Sequence, residues 1–175
     1  YRDDDVPGFN FRLTDAQAAF GLVQLRRLPK ILNSFRKNAY YIMENLPEFI
    51  SPPSISKNVE HSFLILGCKF NEKIARVSRE NFLERLTKNR KKFLKNEQKS
   101  DIKGLNFRPG KIVSSGYKST QYEIHLYRKY RPKIKCSVAE DFVRSSFFLD
   151  IHRWRTRSEI DEELKILSMT NHQIK

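Results

Sequence analysis

The chain has 175 residues, 39% of them hydrophobic, which suits one ordinary core, so residues 1–175 are expected to form a single domain. Its 34 Lys and Arg against 20 Asp and Glu give a formal net charge of +14, which raises phosphate-bearing ligands, from nucleotides to polynucleotides, as partners. No apolar run approaches the roughly 20 residues that cross a bilayer, and two cysteines without CxxC or Cys/His spacing exclude a disulfide framework and a zinc site.

In chain order, turn residues Pro7 and Gly8 lead through alternating aromatics to a helix start at Thr14-Asp15-Ala16-Gln17. This is a capping box, in which the Thr14 hydroxyl accepts from the Gln17 amide and the Gln17 side chain reaches back to the amide of Thr14. Ala18, Ala19, Leu22, Leu25 and Leu28 recur at three-to-four spacing, and the small residues Ala18, Ala19 and Gly21 make the stripe interface-like. Pro29 removes a backbone donor and crowds the Leu25 carbonyl, so a break or kink is expected there, with a second helical stretch running through Leu32, Phe35, Ala39 and Ile42 to Leu46.

Pro52-Pro53 marks a loop, and residues 61–70 (HSFLILGCKF) read as a strand whose nearly continuous hydrophobicity predicts cover on both faces. Ser78 opens a helix carrying Phe82, Leu83 and Leu86, while residues 88–105 are charged, weakly patterned and expected as an exposed loop or frayed helix. Residues 111–115 form a short strand, Ser137 to Glu140 a capping box with a helix bearing Val138, Phe142 and Val143, and residues 146–149 a strand. Thr156 to Glu159 caps a last helix with Ile160, Leu164 and Leu167 on one face. Cys68 and Cys136 read as small buried or half-buried residues, and a reducing cytoplasm fits them. The fold class is α/β (α+β): a long leading helix and a small, mostly antiparallel sheet flanked by helices.

No nucleophile elbow, phosphate-binding glycine loop, paired-carboxylate motif or HExxH occurs, so the chain carries no self-sufficient catalytic constellation. Basic runs at residues 88–95, 128–135 and 153–157, interleaved with Phe93, Tyr127, Tyr130 and Trp154, leave a nucleic-acid-binding module open as a rival reading.

Residues 8–25 read Gly-Phe-Asn-Phe-Arg-Leu-Thr-Asp-Ala-Gln-Ala-Ala-Phe-Gly-Leu-Val-Gln-Leu. Glycine, aromatic, asparagine, aromatic, arginine, then Q-A-A, G-L and Q-L resembles the signature of the DegT/StrS nucleotide-sugar aminotransferases. His61-Ser62-Phe63, the segment with Gly116, Tyr117, Tyr122, His125 and Tyr130, and the closing residues 148–152 and 156–164 are similar to later parts of that family.

The resemblance implies the small carboxy-terminal domain of a type I pyridoxal-phosphate enzyme, a cytoplasmic homodimer. The Schiff-base lysine and most cofactor contacts are expected in a preceding domain, which leaves this chain with no catalytic residue and inactive by itself. By the same resemblance Asn10 donates to the phosphate of the partner subunit's pyridoxal phosphate, and Arg12, Tyr117, Tyr122 and His125 face the substrate. The implied reaction moves an amino group from glutamate or glutamine to a keto-sugar nucleotide. A lysine-less sugar dehydratase of the same family stays open as an alternative.

Overall fold

The structure, a computed structural model, describes residues 12–93, 113–114, 120, 123–124, 129, 136–151 and 155–172. Helix α1, Asp15–Glu44, opens at the expected capping box: Thr14 Oγ1 accepts from the Gln17 amide at 3.3 Å, and Gln17 Oε1 accepts from the Thr14 amide at 3.0 Å. Its 30 residues, about 45 Å of helix at 1.5 Å per residue, run unbroken through Pro29, so of the expected break or kink the break does not occur. Leu25, whose carbonyl loses its donor to the proline, is exposed together with Leu28 and Lys30, so solvent can satisfy the orphaned oxygen and the helix continues.

The sheet contains β1 (Ile50–Ser51), β2 (Ile65–Phe70), β3 (Val113–Ser114) and β4 (Ser146–Asp150) in the order β1-β2-β4-β3, each pair antiparallel. In the central pair Leu66 lies opposite Leu149, Gly67 opposite Phe148 and Cys68 opposite Phe147. β2 begins at Ile65 rather than at residue 61 because the chain turns just before it. Phe63 holds a left-handed φ of 52°, and its amide donates to His61 Nδ1 at 2.9 Å.

The expected cover on both faces of this strand is also corrected. Leu66, Cys68 and Phe70 are buried, whereas Ile65 and Lys69 on the other face are exposed. Gly67 leaves room for the ring of its cross-strand partner: a Cβ there would stand 3.2 Å from the Phe148 ring.

Helices cover the buried face. Asn71 caps the short α2 (Glu72–Ala75) by accepting from the amides of Lys73 and Ile74. α3 (Arg79–Phe93) follows Ser78, whose hydroxyl accepts from the Asn81 amide at 3.3 Å. Residues 88–93, expected as loop or frayed helix, are the end of α3. Lys88 pairs with Glu84 one turn back at 2.6 Å, and buried Asn89 donates to Thr170 Oγ1 at 3.1 Å, which ties this turn to the last helix, α5 (Arg157–His172).

Phe82 and Leu86 from α3, Ile160, Leu164 and Leu167 from α5, and Ala39 and Ile42 from α1 close over Phe70, Phe147 and Leu149 of the sheet as one core. The long leading helix, small antiparallel sheet and flanking helices are the architecture the sequence implied.

Helix α4 (Ser137–Ser145) departs from expectation at its start. Its N-cap is Cys136, with no side-chain capping bond, so the third helical residue is Ala139 and the Ser137/Glu140 box falls one residue out of register. Cys136 is exposed, contrary to the buried or half-buried reading, whereas Cys68 is buried and its thiol is pushed up to about 12 by that burial.

The Thr156 box does form. Thr156 Oγ1 accepts from the Glu159 amide at 3.3 Å, and Glu159 Oε2 accepts from the Thr156 amide at 2.7 Å and its hydroxyl at 2.8 Å. These bonds, the backbone one foremost, hold the Glu159 carboxyl below its ordinary 4.5. A lowered value stabilises the fold above pH 4.5, and the contribution disappears as pH falls through the folded value. Thr156→Ala is therefore expected to cost about 1 kcal/mol at neutral pH. Urea titrations should show that loss, and Glu159→Gln, which removes the titrating group itself, should show a deficit that shrinks as pH falls below 4.5; a Thr156→Ala deficit near zero would contradict the box.

Candidate functional site

The signature stretch ends on α1, so the way α1 is held decides where the stretch can act. Its trailing half is fixed by two side-chain assemblies. Arg36 Nη2 pairs with Glu60 at 3.0 Å while its Nε donates to the His61 carbonyl at 3.0 Å. Tyr41 donates its phenol proton to Asp161 of α5, and the Arg157 guanidinium carbon lies 3.2 Å over the Tyr41 ring. The bond to Asp161 keeps the Tyr41 phenol above its ordinary 10.0. Partners this far apart in sequence leave no local pattern, so sequence reading had no signal for either assembly.

The leading half, by contrast, has no buried residue, and Leu22, Leu25 and Leu28 of the interface-like stripe are exposed, as such a stripe requires. Arg12 stands two residues before the cap, exposed. Among the described residues nothing pairs with its guanidinium, a fork that can donate two bonds to a phosphate or a carboxylate.

Asn10, Tyr117, Tyr122 and His125 lie outside the described residues, so Arg12 is the one candidate site residue with a described position. Covalent attachment of pyridoxal phosphate calls for a desolvated lysine, and every lysine whose side chain is described is exposed. Among the described residues no group of His, Cys, Asp and Glu could hold a metal ion.

An open groove of about 750 Å³ lies elsewhere, lined by Lys69, Cys136, Ser137, Val138, Ala139 and Phe142. Its walls are mostly apolar, and Lys69, 3.7 Å from Asp141, is already paired. No acid and base are juxtaposed there to move a proton. No described helix is long and apolar enough to cross a membrane.

A long helix leading into a small antiparallel sheet with helices on one face defines a fold shared with solved sugar-modifying aminotransferases. Helicobacter pylori PseC, an aminotransferase involved in the biosynthesis of pseudoaminic acid, superposes with a TM-score of 0.71 at 19% identity, over 96% of this chain and 40% of that one. The aminotransferase from Psychrobacter cryohalolentis gives 0.71 at 20% identity, over 97% and 42%. The Escherichia coli GDP-4-keto-6-deoxy-D-mannose-3-dehydratase, solved with bound hydrated pyridoxal phosphate, gives 0.66 at 19% identity, over 93% and 37%. The chain thus spans about 40% of the length of these solved relatives.

No curated protein sequence matches it. The model of the DegT/DnrJ/EryC1/StrS aminotransferase family matches residues 1–95, and the chain belongs to that family. Pyridoxal phosphate is the family's cofactor.

Proposed function

We propose that the chain is the carboxy-terminal, smaller part of a pyridoxal-phosphate-dependent aminotransferase that transfers an amino group from glutamate or glutamine to a keto-sugar nucleotide, as a cytoplasmic homodimer. The observation that carries this reading is the family match over residues 1–95, which includes the whole signature at residues 8–25. The formed Thr14 box and the anchored trailing half of α1 make the helix behind that signature a firm mount.

In this reading the Asn10 amide donates to a phosphate oxygen of the cofactor held by the other subunit, adding orientation without a second cation. Arg12 presents its fork to the diphosphate of the nucleotide or to the carboxylate of the amino donor. Tyr117, Tyr122 and His125 line the sugar. The cofactor, when bound, supplies the electron sink, and the protein supplies position and exclusion of water. The nucleophilic lysine belongs to sequence outside this chain.

The test has two arms. Residues 1–175 mixed with pyridoxal phosphate and reduced with borohydride are expected to gain no stoichiometric covalent adduct; a stoichiometric adduct on one lysine would refute the assignment. In the polypeptide that the gene encodes, Asn10→Ala is expected to weaken retention of pyridoxal phosphate through gel filtration by about tenfold, the effect of roughly one charge-assisted hydrogen bond. Unchanged retention would remove Asn10 from the cofactor. The Escherichia coli dehydratase among the solved relatives favours one second reading, sugar dehydration. Product analysis with a keto-sugar nucleotide separates the two, since one product gains nitrogen and the other loses water.

A further inference from the structure

The leading half of α1 carries more apolar surface than a stripe. Residues 16–25 (AQAAFGLVQL) contain no charge, and at 100° per residue their apolar side chains point in every direction around the axis. Leu25, Ala19 and Phe20 alone divide the circle into arcs of about 120°, 100° and 140°. All three are exposed, Phe20 by 67% and Leu25 by 62%, and nothing stands within 4 Å of a Cβ placed on Gly21. A helix apolar all round belongs in an interior, not on a surface.

We propose that residues 16–25 are a plug enclosed on all sides by protein, and that the enclosing body is polypeptide corresponding to the part of its solved relatives' length that this chain, at about 40% of it, does not span. The alternatives fit less well. A second copy of α1 would cover one face and leave the opposite one wet. A membrane is excluded by length, since ten residues span about 15 Å of a core roughly 30 Å thick. The partner's chemistry follows: an apolar socket as deep as three helical turns, with carboxylates at its rim to meet Arg26, Arg27 and Lys30. This inference rests on family membership and helix chemistry, so it survives if the cofactor or substrate reading fails.

Single cysteines test it from three directions. Ala19→Cys, Phe20→Cys and Leu25→Cys are each made in the polypeptide that the gene encodes and in residues 1–175 alone, and maleimide labelling is timed against the same variant unfolded in urea, read at the introduced cysteine by peptide mass spectrometry because native Cys136 is exposed and reacts as well. All three positions are expected to react at least tenfold more slowly than unfolded in the gene-encoded polypeptide, and at close to the unfolded rate in residues 1–175 at low concentration. One protected direction with another open means a partner on a single face and overturns the plug. Three open positions in the gene-encoded polypeptide overturn it as well. Protection in residues 1–175 alone that grows with concentration assigns the cover to a second copy and likewise overturns it.

Discussion

Phe82→Ala is expected to lower the stability of the fold by about 3–5 kcal/mol, the usual cost of emptying a buried phenylalanine site. The Phe82 side chain is fully buried, and its ring centroid stands 5.5 Å from that of Phe49 and 4.9 Å from that of Phe70. Phe70 in turn meets Phe147 at 6.4 Å, so one ring links the chain before β1, both central strands and α3. The opposing rings are held by the sheet and cannot collapse into the void, which places the loss toward the upper end of that range. Against a total of roughly 5–15 kcal/mol for a domain, this removes a large share. Urea unfolding followed by circular dichroism should show a lower midpoint at unchanged slope. Leu83→Ala, one position along and half-buried, should cost clearly less. Equal losses for the two would mean that α3 presents a different face to the sheet.

Arg79→Met is expected to cost about 2–4 kcal/mol, although methionine keeps most of the apolar stem. The arginine is 9% exposed, and its Nη1 donates to the carbonyls of Val143 and Ser146, each at 2.7 Å, where α4 passes into β4. Its other edge meets Glu80 Oε1, with Nε at 3.1 Å and Nη2 at 2.8 Å. Methionine leaves two inward-facing carbonyls without that donor, which is the main cost. Glu80 is mostly exposed and keeps its solvation, so Glu80→Gln is expected to change stability by less than about 1 kcal/mol. The same urea titration measures both variants, and equal losses would show that the ion pair, not the carbonyl bonds, carries the effect.

How much of this was legible in the sequence depends on how local each cause is. The Thr14 and Thr156 boxes form as read because donor and acceptor lie three residues apart. The Ser137 box looked the same but fails, since the helix starts one residue earlier and shifts the frame. Pro29 gave a correct local rule, but the break it allowed for does not occur: solvent around Leu25 and Leu28 removes the pressure to end the helix.

β1 and α2, two and four residues long, cannot show a period at all, and they form because the Asn71 amide donates to the Phe49 carbonyl at 2.8 Å and Ile50 pairs with Phe70. Asn71 ahead of Glu72 was a readable cap signal for α2. For the candidate site, the residue order at 8–25 carried the family, whereas the anchors at Tyr41 and Arg36 depend on partners up to 120 residues away that only the fold brings close.

The shortness of β1 bears on how this molecule avoids sticking to others. It is an outermost strand of the sheet, and after two residues it runs into Pro52 and Pro53. A stray strand trying to extend the ladder there would find two consecutive positions with no amide hydrogen to offer, and its zippering would stall almost as soon as it began. On that side, edge-to-edge fibre growth is blocked by backbone chemistry, with no need for repulsion between charges.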